Sequence, residues 1–249
     1  MRRIKRQTLA PDIEHYLAEK QSEANDKRNK ADNKKKRMEN FWNNNRQSEQ
    51  MNKVFTVLRD MAGPRRRCMY CVDSEGHDID HFWPKSSYPE RMFHWINMLL
   101  CCPKCGRLKS NKFPLDSNNE PLLIDPTVDD PWQFLEFDPR TGNIVPRLDE
   151  LSRTEMEKGV VTVEILQLDS REAIATGCQS TFEQISTIIN EALVEPVINS
   201  QKLIEKLSKA DHHGLLGWCF HGTGVLEQPF ADLRRQHPSV WEACCSAFQ

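Results

Sequence analysis

Apolar side chains are sparse between residues 14 and 60, where Gly and Pro are almost absent and Lys, Glu, Asn, Gln and Arg dominate. Apolar positions return only at Phe41, Trp42, Val54, Phe55 and Leu58. This pattern predicts a long polar helical segment followed by a short amphipathic helix, closed by Gly63-Pro64. Residues 64–114 alternate less regularly and are dense in Cys, His, Trp, Pro and Arg, with short strands expected around Cys68 to Val72 and His77 to Phe82. A loop-like acidic stretch follows at 122–132. The runs 134–137 and 160–165 then read as strands or buried edges. From 170 to 210 the positions Ile174, Phe182, Ile185, Ile188, Ile189, Leu193, Val197, Leu203, Ile204 and Leu207 recur at intervals of three, four and seven, which predicts helix. The expected fold is α+β and mainly helical. Its segments are a basic helical region over 1–63, a chemistry-bearing core over 64–114, and a mixed, then helical, assembly region over 115–249.

Composition changes this picture in two places. The 249 residues are 38% hydrophobic with six Trp and eleven Phe, enough to fill a core, so disorder throughout is excluded. The net charge of -2 conceals a segregation: residues 1–67 hold 18 Lys and Arg against 9 Asp and Glu, and the remainder holds 16 against 27. A basic segment on an acidic body points to a polyanion or an acidic partner for that segment alone, with the run Lys34 to Arg37 either touching a nucleic-acid backbone or forming a solvated helix face. No apolar run approaches the roughly 20 residues of a membrane span, and no secretory core follows the basic start, so a cytosolic protein is expected.

Cysteine spacing carries the first chemical signal. Cys68-Met-Tyr-Cys71 and Cys102-Pro-Lys-Cys105 are two Cys-x-x-Cys knuckles, and each lets two thiolates turn toward one ion. Together they predict a structural Zn²⁺ site, against free thiols or another role, and an odd count of nine Cys in a reducing compartment disfavours a disulfide framework. Cys101 adjoins the second knuckle as a competing ligand or a buried neighbour. Cys178, Cys219, Cys244 and Cys245 read as small core residues, and His77 and His94 as structural or surface residues. His212, His213, Cys219 and His221 offer a weaker second cluster.

Between the knuckles lies Asp78-Ile-Asp-His-Phe-Trp-Pro-Lys-Ser86, then Trp95-Ile-Asn97, and beyond them Lys109-Ser-Asn-Lys-Phe-Pro114. This order resembles the HNH nucleases, whose core is two strands and a helix, ββα, gripping one divalent cation. The resemblance implies His81 as general base, Asp80 as ligand of a catalytic Mg²⁺ or Mn²⁺, and Asn97 as the residue that pins the loop carrying the histidine. Related proteins place Asn or His directly after the final Cys, where this chain has Gly106. Asn111 is the nearest substitute ligand, and it needs a helix end or bend to reach the site. Strand geometry would send Asp80 and His81 to opposite faces, so a bend is expected there too. Arg65, Arg66, Arg67, Lys85, Lys104, Arg107, Lys109 and Lys112 would steer and hold phosphates. The aromatics Tyr70, Phe82, Trp83, Phe93 and Trp95 pack a small core or stack on bases.

The similarity extends to Cys-x-Tyr-Cys, Asp-His-Phe-x-Pro-Lys-Ser, Lys-Ser-Asn-x-Phe-Pro and Leu123-Ile-Asp-Pro-Thr127, a pattern like that of the PtuB family. PtuB is the HNH subunit of Septu anti-phage systems and of related retron systems, and it works with an ABC-type ATPase. The resemblance therefore implies DNA or RNA as substrate and an ATPase subunit as partner, with a retron reverse transcriptase and its DNA in some systems. No phosphate loop occurs in the chain, so ATPase activity must come from the partner. A zinc nucleic-acid-binding module without hydrolysis, or an adaptor with a degenerate HNH fold that docks an ATPase, remains the alternative. The 123–127 segment reads as a capped turn or a partner contact.

Overall fold

The structure is a computed structural model, and it describes residues 1–29, 34–149 and 151–248. Residues 30–33 of the expected polar helix, and the side chains of Asn29, Lys34 and Lys35, lie outside that description. Backbone contacts divide the chain into two compact units. One comprises Ile4–Tyr70 and Ser74–Pro121, the other Met1–Arg3, Cys71–Asp73 and Leu122–Gln249.

In the first unit the helices α1 (Pro11–Asn29), α2 (Lys34–Asn45) and α3 (Glu49–Met61) precede the antiparallel pair β1 (Asp78–His81) and β2 (Met98–Cys101), and α4 (Pro103–Lys109) follows β2 directly. Helix α1 looks polar in sequence but buries Ile13, Leu17, Gln21 and Ala24, a stripe at intervals of three and four that contains a glutamine. Gln21 is satisfied there, donating to the Pro89 carbonyl at 3.0 Å and accepting from the Phe93 amide at 2.7 Å. Helix α3 is amphipathic, with Met51, Val54, Leu58 and Met61 inward, and its Ser48 cap accepts from the Met51 amide at 3.2 Å. The register β1 to β2 pairs Asp80 with Leu99 and His81 with Met98.

Cys68 to Val72 is not a strand. Only the bridge Arg67 to Glu75 pairs near it, and Val72 has a φ of 54°, because a Cys-x-x-Cys knuckle needs a tight turn rather than an extended run.

The second unit places the hairpin β3 (Leu135–Phe137) and β4 (Ile144–Pro146) among α5 (Glu157–Leu166), α6 (Glu172–Leu193), α7 (Ser200–Ala210), α8 (Leu216–His221), α9 (Phe230–Gln236) and α10 (Pro238–Ala247). The expected edge at 160–165 is helical. A short β-branched run fits strand or helix, and the burial of Gly159, Thr162, Val163, Ile165 and Leu166 on one side decides for α5. The predicted helix over 170–210 is two helices. Pro196 interrupts it, and Val197 in the connection is exposed rather than inward. Phe137, Phe182, Trp218 and Phe230 form the aromatic centre of this unit, with ring centroids 5.1–5.9 Å apart.

Candidate functional site

The four knuckle cysteines, Cys68, Cys71, Cys102 and Cys105, are all buried, and their sulfurs lie within 4.8 Å of one another. A tetrahedral Zn²⁺ with bonds of about 2.3 Å separates its sulfurs by about 3.8 Å, so this donor set fits zinc with small adjustments. Backbone bonds hold the knuckles in place. The Met69 amide donates to the Leu100 carbonyl at 2.9 Å and the Cys68 amide to the Ser74 carbonyl at 2.8 Å. Cys102 also caps α4, its sulfur accepting from the Cys105 amide at 3.4 Å. Among the described residues this is the one group of His, Cys, Asp and Glu arranged to hold a metal ion. His213 instead meets the Thr181 hydroxyl at 2.7 Å, and His221 bonds the Cys245 carbonyl at 2.9 Å. Cys101 is buried beside α4, its thiol pushed up by desolvation. A Cβ at Gly106 would lie 3.3 Å from the Cys101 sulfur, so a side chain directly after the last knuckle cysteine would face this thiol.

Strand β1 ends at His81, and a cleft of about 390 Å³ opens there, lined among others by Glu39, Asp80, His81, Lys85, Ser86 and Asn111. The end of the strand thus lets neighbours that would alternate across a sheet share one cavity. His81 is 3% exposed, with its Nε2 2.8 Å from the Met92 carbonyl and the Trp42 ring in a T-shaped contact at 4.4 Å between centroids. A carbonyl only accepts, so the ring proton resides on Nε2 and Nδ1 keeps its lone pair. Desolvation first, then the positive charges of Lys85, Lys109 and Arg46, hold this imidazole well below the ordinary histidine range, against the opposing pull of the Met92 bond.

The Asp80 carboxylate accepts from the Tyr70 hydroxyl at 2.7 Å and the Lys109 ammonium at 2.9 Å. Both bonds fall on Oδ2, and among the described residues no donor is bonded to Oδ1. Asn97 is buried and ties down the loop after His81: its Oδ1 accepts from the Trp83 amide at 2.7 Å, and its Nδ2 donates to the carbonyls of Trp83 at 3.1 Å and Arg91 at 2.9 Å. Asn111 lies beyond the end of α4, where Ser110 has a φ of 44°, and its Oδ1 accepts from Ser86 at 2.8 Å. That break brings Asn111 to the same cleft as Asp80 and His81. The remaining oxygen groups there, Asp80 Oδ1, Asn111 and Glu39, are hard donors suited to Mg²⁺ or Mn²⁺.

Two contributors carry no sequence signal of their own. Glu39 and Trp42 come from α2, brought to the cleft by tertiary packing. Lys109, counted among the phosphate-steering cations, is instead fully buried beside Asp80. Arg65, Arg66, Lys104, Arg107 and Lys112 do remain exposed. Burial of Lys85 first, then Lys109 and Arg46, pulls its ammonium downward, while Asp80 and Glu39 oppose this. Tyr70, Phe82 and Phe93 are core side chains, and the Arg91 guanidinium covers Trp83 at 4.1 Å.

Fold and site together define a mainly helical protein with two small antiparallel sheets and a buried four-cysteine cluster compatible with zinc. No helix among the described residues is long and apolar enough to cross a membrane. No family model matches the chain. It is similar to the Septu protein PtuB of Bacillus thuringiensis, 31% identical over 127 residues, which is 49% of this chain and 44% of that protein. It is also 31% identical over 101 residues to the Septu protein PtuB of Bacillus mycoides (strain KBAB4), 28% of this chain and 34% of that one. The matched stretch thus spans less than half the length of either relative, and the similarity supports kinship with the Septu PtuB proteins.

Proposed function

We propose that the chain is a metal-dependent endonuclease of the HNH type, hydrolysing phosphodiester bonds of DNA or RNA as the effector of an anti-phage complex with an ABC-type ATPase. The observation that carries this reading is the shared cleft of Asp80 and His81, with the imidazole proton committed to Met92. A histidine so arranged has one free lone pair and stays neutral at physiological pH, which is what a general base for water requires. Asp80 Oδ1 and Asn111 would hold a divalent ion, Glu39 standing beside them. Bound there, such an ion supplies charge stabilisation to the phosphate and the leaving oxygen. Asn97 fixes the loop from Trp83 to Arg91, so the Met92 carbonyl keeps the imidazole in one tautomer and orientation. Lys85 and the exposed cations Arg65, Arg66, Lys104, Arg107 and Lys112 would hold the nucleic-acid backbone without reading its sequence. The four cysteines hold a structural Zn²⁺ and have no direct part in hydrolysis. The partner is an ATPase of the PtuA kind, joined in retron systems by a reverse transcriptase and its DNA.

Gly106 favours a second reading, a zinc module that binds nucleic acid or docks an ATPase without hydrolysis, because the chain lacks a ligand at that position. Cleavage of labelled DNA and tRNA by the purified chain, with and without the ATPase, separates the two. The nuclease reading expects cleavage that needs Mg²⁺ or Mn²⁺ and stops on Asp80→Ala. Nucleic-acid retention with no cleavage under any divalent ion supports the second reading instead.

A further inference from the structure

Lys109 is the last residue of α4 and is fully inaccessible to solvent. Its ammonium donates to the His81 carbonyl at 2.6 Å and lies 2.9 Å from Asp80 Oδ2. Taking an ammonium out of water is expensive, and a buried ion pair is commonly less stabilising than an apolar side chain of the same volume. A methionine would fill this space at lower cost, so stability alone does not account for a lysine. The carboxylate it has chosen is the one that opens on the cleft.

We infer that Lys109 is a positioning residue that regulates the charge of the cleft. It holds the end of β1 through the His81 carbonyl and neutralises Asp80, so that the resting protein takes a divalent ion weakly until a phosphate adds its own negative charge. This inference rests on the nuclease reading. Two opposing effects decide what the side chain does. As a tether it orients Asp80, and its loss would weaken ion binding. As a charge it competes with a cation for the same carboxylate, and its loss would strengthen ion binding. The Tyr70 hydroxyl at 2.7 Å remains to orient Asp80 when Lys109 is replaced, so the charge effect is the larger. Lys85, which lines the same cleft, adds to the positive potential, whereas Arg46 is paired with Asp78 at 2.7 Å. Among the carboxylates that line the cleft, Glu39 is exposed and Asp80 bears the ammonium, so the site is poised near neutrality.

The test is a Mn²⁺ titration of the zinc-loaded full chain, followed by electron paramagnetic resonance, on wild type, Lys109→Met, Lys109→Gln and Asp80→Asn. Glutamine keeps a donor for the His81 carbonyl and removes the charge, so it remains informative if the methionine variant does not fold. Both Lys109 variants are expected to bind Mn²⁺ at least about tenfold more tightly than wild type, the scale that one charge about 6 Å from a divalent ion reaches even at the dielectric of water. Asp80→Asn is expected to remove the site. A purely structural lysine leaves affinity unchanged or lowers it, and either result for the folded variants overturns the inference alone. Mn²⁺ binding that Asp80→Asn leaves intact overturns the nuclease reading, and this inference with it.

Discussion

At the scale of single residues, the imidazole of His81 is defined by what surrounds it. Its Nε2 proton is held by Met92, its ring packs nearly perpendicular to that of Trp42, and burial keeps it neutral. His81→Ala should retain zinc and the folded state while cleavage falls by roughly 10²- to 10⁴-fold, as expected for loss of a general base. Metal analysis, circular dichroism and a cleavage time course check this together, and full cleavage by the variant would overturn the assignment. Asn97 makes three bonds to the loop after His81, and Asn97→Ala removes them from part-buried backbone groups, leaving the Trp83 amide without its acceptor. The expected loss is about 1–3 kcal/mol of stability, read from urea unfolding. The cluster of four cysteines was legible in the sequence because Cys-x-x-Cys spacing ties each pair to one tight turn. Asp80, His81 and Asn97 stood out by their order between the two knuckles, their roles being the proposal above. Glu39, Trp42 and the buried role of Lys109 were not legible, since nothing in the order of residues brings α2 to the end of β1 or marks one lysine among many as paired.

Elements show the same division. The amphipathic helix around Val54, Phe55 and Leu58 follows from its apolar spacing and the strand around His77 to Phe82 is expected, whereas 160–165 is helical because tertiary burial settles a run that local preference leaves ambiguous. The polar look of α1 hid its inward stripe, because Gln21 is buried with backbone partners rather than apolar ones. Between β2 and α4, Cys102 serves as both knuckle sulfur and helix cap. Serine caps helices well but is a poor zinc ligand, so Cys102→Ser separates the two roles. It should lose the single zinc expected per chain and destabilise the β1 to β2 pair, seen by metal analysis and hydrogen exchange at Met98 to Cys101. Retention of zinc with native exchange would disprove the staple. In α6, a Cβ at Gly177 would lie 2.4 Å from His213 Nε2, inside contact distance. Gly177→Ala should therefore lower stability by about 1–3 kcal/mol in thermal or urea unfolding.

For the whole molecule, the segregation of charge, with a basic first 67 residues and an acidic remainder, suits a protein that meets a polyanion with one region and avoids it with the other. Co-expressed with the proposed ATPase partner, the chain is expected to elute with it in size-exclusion chromatography at low salt and to separate when residues 170–249 are deleted. Separate elution of the full chains, or co-elution that survives both that deletion and removal of residues 1–60, would show that the flanks do not dock the partner. Composition predicted this segregation, but the course of the first helices past the motif was beyond it. Arg6 donates to the carbonyls of Trp95, Ile96 and Met98, Gln21 bonds Pro89 and Phe93, and Trp42 rests on His81. The fifty residues bearing the motif are therefore not a portable cartridge. Any exchange that moves this chemistry between proteins, by recombination in nature or by grafting at the bench, has to carry the leading helices along or replace the wall they provide.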